Sequence, residues 1–200
     1  MTSDAIKLLF NRLGIEYLES NSYHPEALGR PDVKRSLYYR RNRREFDQLT
    51  AKYSGALGSP QGLPELEVHH LGGPLGYGLF TLTPLKPGDL IGEYTGIVKR
   101  AAPGRSLPQG GYTSDYSWGF PKVQTFGRLL EIDARTAGGL LRFANHPSGE
   151  AGEATAEPDH FPIDGQWHVV FTAKSSIEEG GEITVDYGDA YWSGGERELL

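Results

Sequence analysis

The sequence contains no cysteine. That excludes disulfide bridges, thiolate zinc sites and a cysteine nucleophile, and it leaves the redox compartment open. There is no run of about 18 or more apolar residues, so no membrane span is expected. Met1 to Phe10 lacks a basic stretch followed by a long apolar one, so no secretory signal of the usual kind is expected. No internal repeat is visible. What is present is an ordinary globular composition. Of 200 residues, 38% are hydrophobic and 23% charged, which allows a core to be buried and does not read as disorder.

The formal net charge of −6 is unevenly spread. Arg30 to Lys52 holds eight basic and three acidic residues, a balance of +5. Asn145 to Leu200 holds two basic and twelve acidic residues, a balance of −10. The acidic half should attract cationic partners, although acidic loops also serve solubility alone. The run Arg40, Arg41, Arg43, Arg44 invites a nucleic-acid reading. The whole chain is acidic, however, and no recognition motif accompanies the run. A solvated helix face, or a dock against the acidic half, is the stronger expectation, and nucleic acid is not the expected partner.

Residues 1–62 read as helical. Ser3 or Asp4 can cap a helix carrying Ile6, Leu9, Phe10 and Leu13 on one side, and Gly14 can end it. A second helix is expected from about Asp32, with Val33 and Leu37 on one face and Phe46, Leu49 and Tyr53 on another. The Gly- and Pro-rich stretch from Ser54 to Pro64 reads as a linker. From Leu66 the texture changes to short strand-like runs between turns: Leu66–His69, Gly78–Leu82, Leu90–Val98, Leu129–Ile132, His168–Thr172 and Glu182–Val185. These predict a small, mostly antiparallel β-fold. Pro103–Gly111 and Pro147–Gly165 read as long loops, of a length often tied to function.

Four short segments carry the chemistry. Gly76-Tyr77-Gly78 allows the backbone to approach a ligand closely, though alone it fits a simple hairpin turn. Glu93-Tyr94-Thr95-Gly96 ends a strand, and Tyr94 offers a hydroxyl and a ring face. Arg142-Phe143-Ala144-Asn145-His146 puts a cation, a ring, an amide and an imidazole within five residues. Glu182-Ile183-Thr184-Val185-Asp186-Tyr187-Gly188 is a strand ending in a tyrosine before a glycine. Each has a bland structural explanation by itself.

In this order and spacing the four segments resemble the SET domain of protein lysine methyltransferases. That family's landmarks are a Gly-x-Gly turn, a Tyr-x-Gly strand end, an Arg-Phe-x-Asn-His segment and a Glu-Leu-Thr-x-Asp-Tyr strand. Here they read GYG, EYTG, RFANHP and EITVDYG. Asp115-Tyr116-Ser117-Trp118 and Leu130-Glu131-Ile132-Asp133-Ala134 resemble the tyrosine-bearing strand and the strand that follows it. The resemblance runs from Leu66 to Trp192.

The resemblance implies a fold of several small sheets in which a C-terminal segment threads past Asn145 as a pseudoknot, an exception to the usual avoidance of knots. It implies a SET domain at 63–189, preceded by the helical segment 1–62 and followed by a short closing segment, 190–200. It implies S-adenosylmethionine as methyl donor; no metal is expected, because the chain has no cysteine for the family's zinc segment. Tyr187 and Tyr94 would line the lysine channel as catalytic residues. Gly76, Tyr77, Gly78, Tyr116, Arg142, Phe143, Asn145, His146 and Trp192 would hold the donor, with Trp192 stacking on its adenine. The substrate would be a basic protein or peptide such as a histone tail.

Three features depart from the family pattern. The sequence after His146 reads Pro147-Ser148-Gly149-Glu150 instead of the usual Ser-Cys-x-Pro-Asn. The cysteine-rich zinc segment is missing, so Tyr191, Trp192, the N-terminal helices or a second subunit in a homodimer would have to close the channel. Val185 stands two before Tyr187, where family members often carry Phe or Tyr, which leaves room for more than one methyl. The compact form resembles bacterial and viral members. The compartment stays open between the cytoplasm and, for a bacterial effector, a host nucleus. The alternatives are a non-catalytic module that binds peptide or donor, against which Tyr187 and the Asn-His pair argue, and a nucleic-acid adaptor built on the arginine run.

Overall fold

The computed structural model describes residues 1–27, 33, 36–57, 62–73, 76–101, 115–119, 130–147, 152–163, 165–188 and 191. Helix α1 spans Ser3–Leu13. Its cap is Thr2, not Ser3 or Asp4: the Thr2 hydroxyl accepts from the Ala5 amide at 3.3 Å. With β-region dihedrals Thr2 leaves the helix free to begin at Ser3. Gly14 ends the helix as expected, in the left-handed conformation at φ 68°. Ile6 and Phe10 are its buried residues.

The N-terminal segment is not all helix. Strands β1 (Glu16–Tyr17) and β2 (Ser22–Tyr23) are two residues each. Both run parallel to strands of the main sheet, β1 beside Leu130–Gly138 and β2 beside Gly96–Arg100. Two residues are too few to show any periodicity, so pattern alone cannot find them. The loop between them is tied down as well. Asn21 Oδ1 accepts from the Gly96 amide at 3.0 Å, and Asn21 Nδ2 donates to Glu93 Oε1 at 3.1 Å.

The expected second helix is two. Helix α2 (Leu37–Arg41) is capped by Ser36, and α3 (Arg43–Leu57) follows directly. Asn42 makes the break. Its side chain donates to the Tyr38 carbonyl at 3.0 Å, closing α2, while its own carbonyl accepts from Phe46 at 3.1 Å and opens α3. The expected start at Asp32 lies outside the described residues. Arg40, Arg41, Arg43 and Arg44 flank this corner and are all exposed. Arg43 pairs with Asp47 one turn on at 3.5 Å, a contact of small energetic value at such exposure.

Strands β3 (Leu66–Gly72) and β4 (Gly76–Thr81) form an antiparallel pair. The run Leu90–Val98 is two strands, β5 (Leu90–Glu93) and β6 (Gly96–Arg100), parted at Tyr94-Thr95. Strand β7 covers Ser117–Gly119 and β8 covers Leu130–Gly138. Strand β9 (Ala156–Ile163) lies where a long loop was expected, and β10 spans Gln166–Ala173. The main sheet runs β1-β8-β6-β2, with β7 also on β8; a second runs β5-β10-β9. The expected loop Pro103–Gly111 lies outside the described residues.

Helix α3 covers the second sheet. Phe46 meets Trp167 edge-on at 5.3 Å, and Tyr53 stacks on Phe161 at 5.4 Å. Phe46, Trp167 and Phe161 are 2%, 1% and 0% exposed, so this face is as closed as any in the core. Helix α1 packs beside β1, where Phe10 meets Tyr17 at 5.1 Å and Phe143 at 5.6 Å.

The segment Glu182–Tyr187 forms isolated bridges rather than a strand. It passes between two walls. On one, Ile183 donates to the Leu79 carbonyl of β4 at 2.8 Å. On the other, Val185 donates to the Asn145 carbonyl at 2.8 Å and Ala156 donates to the Thr184 carbonyl at 2.9 Å. Thr155 and Thr184 also exchange amide–hydroxyl bonds at 3.1 and 2.9 Å. This is the C-terminal threading of the pseudoknot.

Close approach explains one glycine. A Cβ on Gly96 would lie 2.7 Å from the Asp133 carbonyl oxygen and 2.8 Å from Ile132 Cγ2. Backbone cannot move aside as a side-chain tip can. Gly96→Ala is expected to cost about 1–3 kcal/mol by overpacking, read as a lower denaturant midpoint at unchanged m-value.

Candidate active site

Tyr187 follows directly on the threaded segment. Its hydroxyl donates to the Ala144 carbonyl at 2.9 Å, and its amide donates to His146 Nδ1 at 3.3 Å. The residue is therefore anchored to the Ala144–His146 stretch through both its backbone amide and its hydroxyl. Tyr191 meets the Tyr187 ring edge-on at 4.7 Å. Gly188 allows the turn between them at φ 77°.

Tyr94 occupies the β5–β6 junction, 5% exposed, with its ring 5.7 Å from Phe171 and 5.9 Å from Trp118. Its hydroxyl donates to the Tyr116 carbonyl at 2.8 Å, which also accepts from the Ala134 amide at 2.9 Å. Tyr94, Ala144, Val185 and Tyr187 line one pocket together with Trp118, Phe171 and Tyr191. Asp115, Ser117, Leu141 and Arg142 complete its described lining.

Arg142 is an unusual wall for such a pocket, being 9% exposed. Its Nε donates to the Ala134 carbonyl at 2.9 Å. Its guanidinium carbon lies 4.3 Å from the Tyr116 ring centre and 4.9 Å from that of Phe143, the geometry of a cation on aromatic faces. Burial pushes the guanidinium below its ordinary value, with Tyr116, Tyr94 and Asp133 opposing. Arginine stays charged regardless, so the pocket keeps a fixed positive charge in its wall.

Asn145 is a structural clasp. Its Nδ2 donates to the Tyr77 carbonyl at 3.0 Å and to Glu182 Oε1 at 3.2 Å. One amide thus joins β4 to the threaded segment. Gly76 opens β4 at φ 62°, with open space where a Cβ would stand. A Cβ on Gly78 would instead meet Leu71 Cδ1 at 2.8 Å and Glu182 Oε1 at 2.9 Å. Gly78 is small because β4 is crowded there. The Tyr77 ring lies 5.9 Å from Phe143.

His146 accepts from the Tyr187 amide through Nδ1, which assigns its proton to Nε2. Burial pushes the imidazole below its ordinary value; Asp186, 3.6 Å away, pulls the other way. A histidine depressed in the fold protonates more readily in the unfolded chain. It costs no stability above the ordinary histidine range, and it removes stability as pH falls below about 6.5 toward the folded value. Acidification from about pH 7.5 to about pH 5.5 is therefore expected to lower the thermal midpoint more in the unaltered protein than in His146→Asn.

The structure thus brings Tyr187, Tyr94 and Arg142 into the lining of one pocket, while Tyr116 and Phe143 lie outside that lining with their rings against the Arg142 guanidinium. Asn145, His146, Gly76, Tyr77 and Gly78 lie along the adjoining β4 side. Trp192 lies outside the described residues. Two further members of the site are silent in the sequence: the Ala144 carbonyl leaves no side-chain signal, and Phe171 stands in an apolar strand that marks it only as core.

With this geometry in view, comparison with known proteins defines the class. Residues 76–188 match the model of the SET domain, and the chain belongs to the SET-domain family. It is 30% identical over 138 residues to a SET domain-containing protein of Phaeosphaeria nodorum, covering 68% of this chain and 20% of that protein. It is 30% identical over 122 residues to the histone-lysine N-methyltransferase EZH2 of Chaetomium thermophilum, covering 58% of this chain and 8% of the relative. To the histone-lysine N-methyltransferase MEDEA of Arabidopsis thaliana it is 32% identical over 132 residues, 61% of this chain and 17% of that one. The chain thus spans a fifth or less of the length of these relatives. Among solved structures it is similar to ATXR5 in complex with histone H3.1 mono-methylated on R26, at a TM-score of 0.65 and 17% identity, covering 98% of this chain and 89% of that one. That likeness speaks for the fold.

Proposed function

We propose that the chain is a protein-lysine N-methyltransferase that uses S-adenosylmethionine and acts on a basic protein or peptide, a histone tail among them. One observation carries the reading. Two tyrosine hydroxyls, each locked to a backbone carbonyl, flank a single pocket that has a buried guanidinium in its wall.

The residues suit the donor. The carbonyl of Ala144 and the hydroxyls of Tyr94 and Tyr187 are neutral oxygen acceptors, which favour a polarised methyl through weak C–H···O contacts. The open space beside Gly76 and the neutral His146 offer room and a ring N–H donor. Gly76, Tyr77, Gly78, Asn145 and His146 would hold the donor, with Tyr116, Arg142 and Phe143 supporting it and Trp192 stacking on the adenine. When bound, S-adenosylmethionine supplies an electrophilic methyl group on a sulfonium.

The protein's own work concerns the lysine. Free lysine titrates near pKa ~10.4 and has no lone pair while protonated. The fixed charge of Arg142 disfavours a second cation in the same pocket, and so does an aromatic wall that replaces water. Both push the target amine toward its neutral form. Tyr187 and Tyr94 then orient the amine through their hydroxyl oxygens, and Phe171, Trp118 and Tyr191 confine its stem. Alignment of nucleophile and methyl, rather than proton transfer, supplies most of the rate.

The test is incubation with labelled donor and a panel of basic proteins, alongside donor binding by calorimetry. Labelled product and saturable donor binding are expected. Absence of both overturns the proposal.

A further inference from the structure

Tyr94 stands at the break between β5 and β6, and the residues on both sides of it are tied to the loop that joins β1 to β2. Before it, Glu93 Oε1 accepts from Asn21 Nδ2 at 3.1 Å. After it, the Thr95 hydroxyl donates to the Leu18 carbonyl at 2.9 Å, and the Gly96 amide donates to Asn21 Oδ1 at 3.0 Å. The loop is itself fixed to the main sheet, because the Leu18 amide donates to the Gly138 carbonyl at 2.9 Å. Between these ties Tyr94 lines the pocket, with its hydroxyl on the Tyr116 carbonyl.

Asn21 spans the break by itself. A carboxylate can only accept and a backbone amide can only donate, so a side chain that joins Glu93 to Gly96 must donate through one atom and accept through another. The asparagine amide does both. Aspartate has no hydrogen for Glu93, and an aliphatic side chain serves neither partner. From the other side, His168 Nδ1 lies 2.8 Å from the same Glu93 oxygen, and the Tyr94 amide donates to the Val169 carbonyl at 2.8 Å, so β10 fixes the far edge of the break. Leu18 and Asn21 both precede residues 76–188, the segment that matches the family model. We propose that Asn21 is a positioning residue for the transfer, with Thr95 as its second tie: together they hold the backbone at the β5–β6 break so that Tyr94 presents its hydroxyl oxygen to the amine. This rests on the methyl-transfer reading and extends its machinery into the N-terminal segment.

The experiment is a double-mutant cycle in the full chain. Single-turnover rates are measured at saturating S-adenosylmethionine with a substrate from the panel of basic proteins, and donor binding is followed by calorimetry. Asn21→Ala is expected to lower the rate about tenfold, the scale of a slight misplacement of a group at the reacting centre, with donor affinity unchanged. In a Tyr94→Phe background the same change is expected to alter the rate by a factor of about one, because an effect relayed through the Tyr94 hydroxyl disappears with that hydroxyl. A merely structural role would give the same loss in both backgrounds. Thr95→Val, which exchanges only a hydroxyl for a methyl, is expected to show the same dependence on Tyr94, and it decides the matter if Asn21→Ala does not fold. An equal loss in both backgrounds, an unchanged rate, or a loss carried by donor affinity overturns the proposal while leaving methyl transfer standing. No transfer by the unaltered protein to any member of the panel overturns this proposal, and the underlying reading with it where donor binding is absent too.

Discussion

Tyr187→Phe is expected to lower the rate of methyl transfer on the order of 10²-fold, the scale of removing one preorganised polar group from a reacting centre. The ring would keep its place: it still meets Tyr191, and its amide still donates to His146. What is lost is the hydroxyl and its 2.9 Å bond to the Ala144 carbonyl. Loss of a neutral hydrogen bond costs about 1 kcal/mol of stability, so the folded protein survives while the amine loses its orienting oxygen. Single-turnover measurement at saturating donor separates the two effects. Undiminished transfer would remove Tyr187 from the reaction.

Asn145→Asp is expected to be the most damaging single change at neutral pH. The Asn145 amide donates to both the Tyr77 carbonyl and Glu182 Oε1. A carboxylate in its place has no hydrogen to give and faces another carboxylate at about the same distance. The loss of a hydrogen bond to a charged group, with its partner left unmatched, is worth about 3 kcal/mol. For a chain of this length that lowers the thermal midpoint by roughly 6–12 °C. Asn145→Ala loses both bonds without adding a charge, so its midpoint should fall less. Both should weaken donor binding, because β4 and the threaded segment are no longer held together. Calorimetric titration with donor, alongside thermal unfolding, reads both effects. Equal midpoints for the Ala and Asp variants would show that Glu182 does not sense the added charge.

The sequence carried the strongly patterned parts of this fold. The spacing of Ile6 and Phe10 and the stop at Gly14 marked α1, and apolar runs marked β5, β6 and β10. Strand β9 escaped because it carries Pro158, Pro162, Glu157 and Asp159, residues that argue against a strand. It lies at the sheet's edge, where proline is tolerated, and α3 covers it. The break at Tyr94-Thr95 falls inside the run read as one strand, Leu90–Val98, at the Glu93-Tyr94-Thr95-Gly96 segment that also reads as a strand end. Asn42 split a helical stretch through a side-chain bond that no periodicity shows. At the site, Tyr94, Asn145, His146 and Tyr187 stood out because motif order carries them. The Ala144 and Tyr116 carbonyls that hold the two tyrosine hydroxyls are backbone, invisible to any reading of side chains. Arg142 was visible as a cation, but its burial between Tyr116 and Phe143, and the charge this leaves in the pocket wall, required the fold.

In the proposed reaction a pocket walled by Tyr94, Tyr187 and a buried Arg142 presents a neutral lysine amine for methylation. The most direct measurement is fragmentation mass spectrometry of a basic protein substrate after incubation with the protein and isotope-labelled S-adenosylmethionine. Labelled methyl on a lysine side-chain nitrogen, strongly reduced with Tyr187→Phe, is the expected result. Label on arginine or on the amino terminus, or label that is unchanged in Tyr187→Phe, would contradict it.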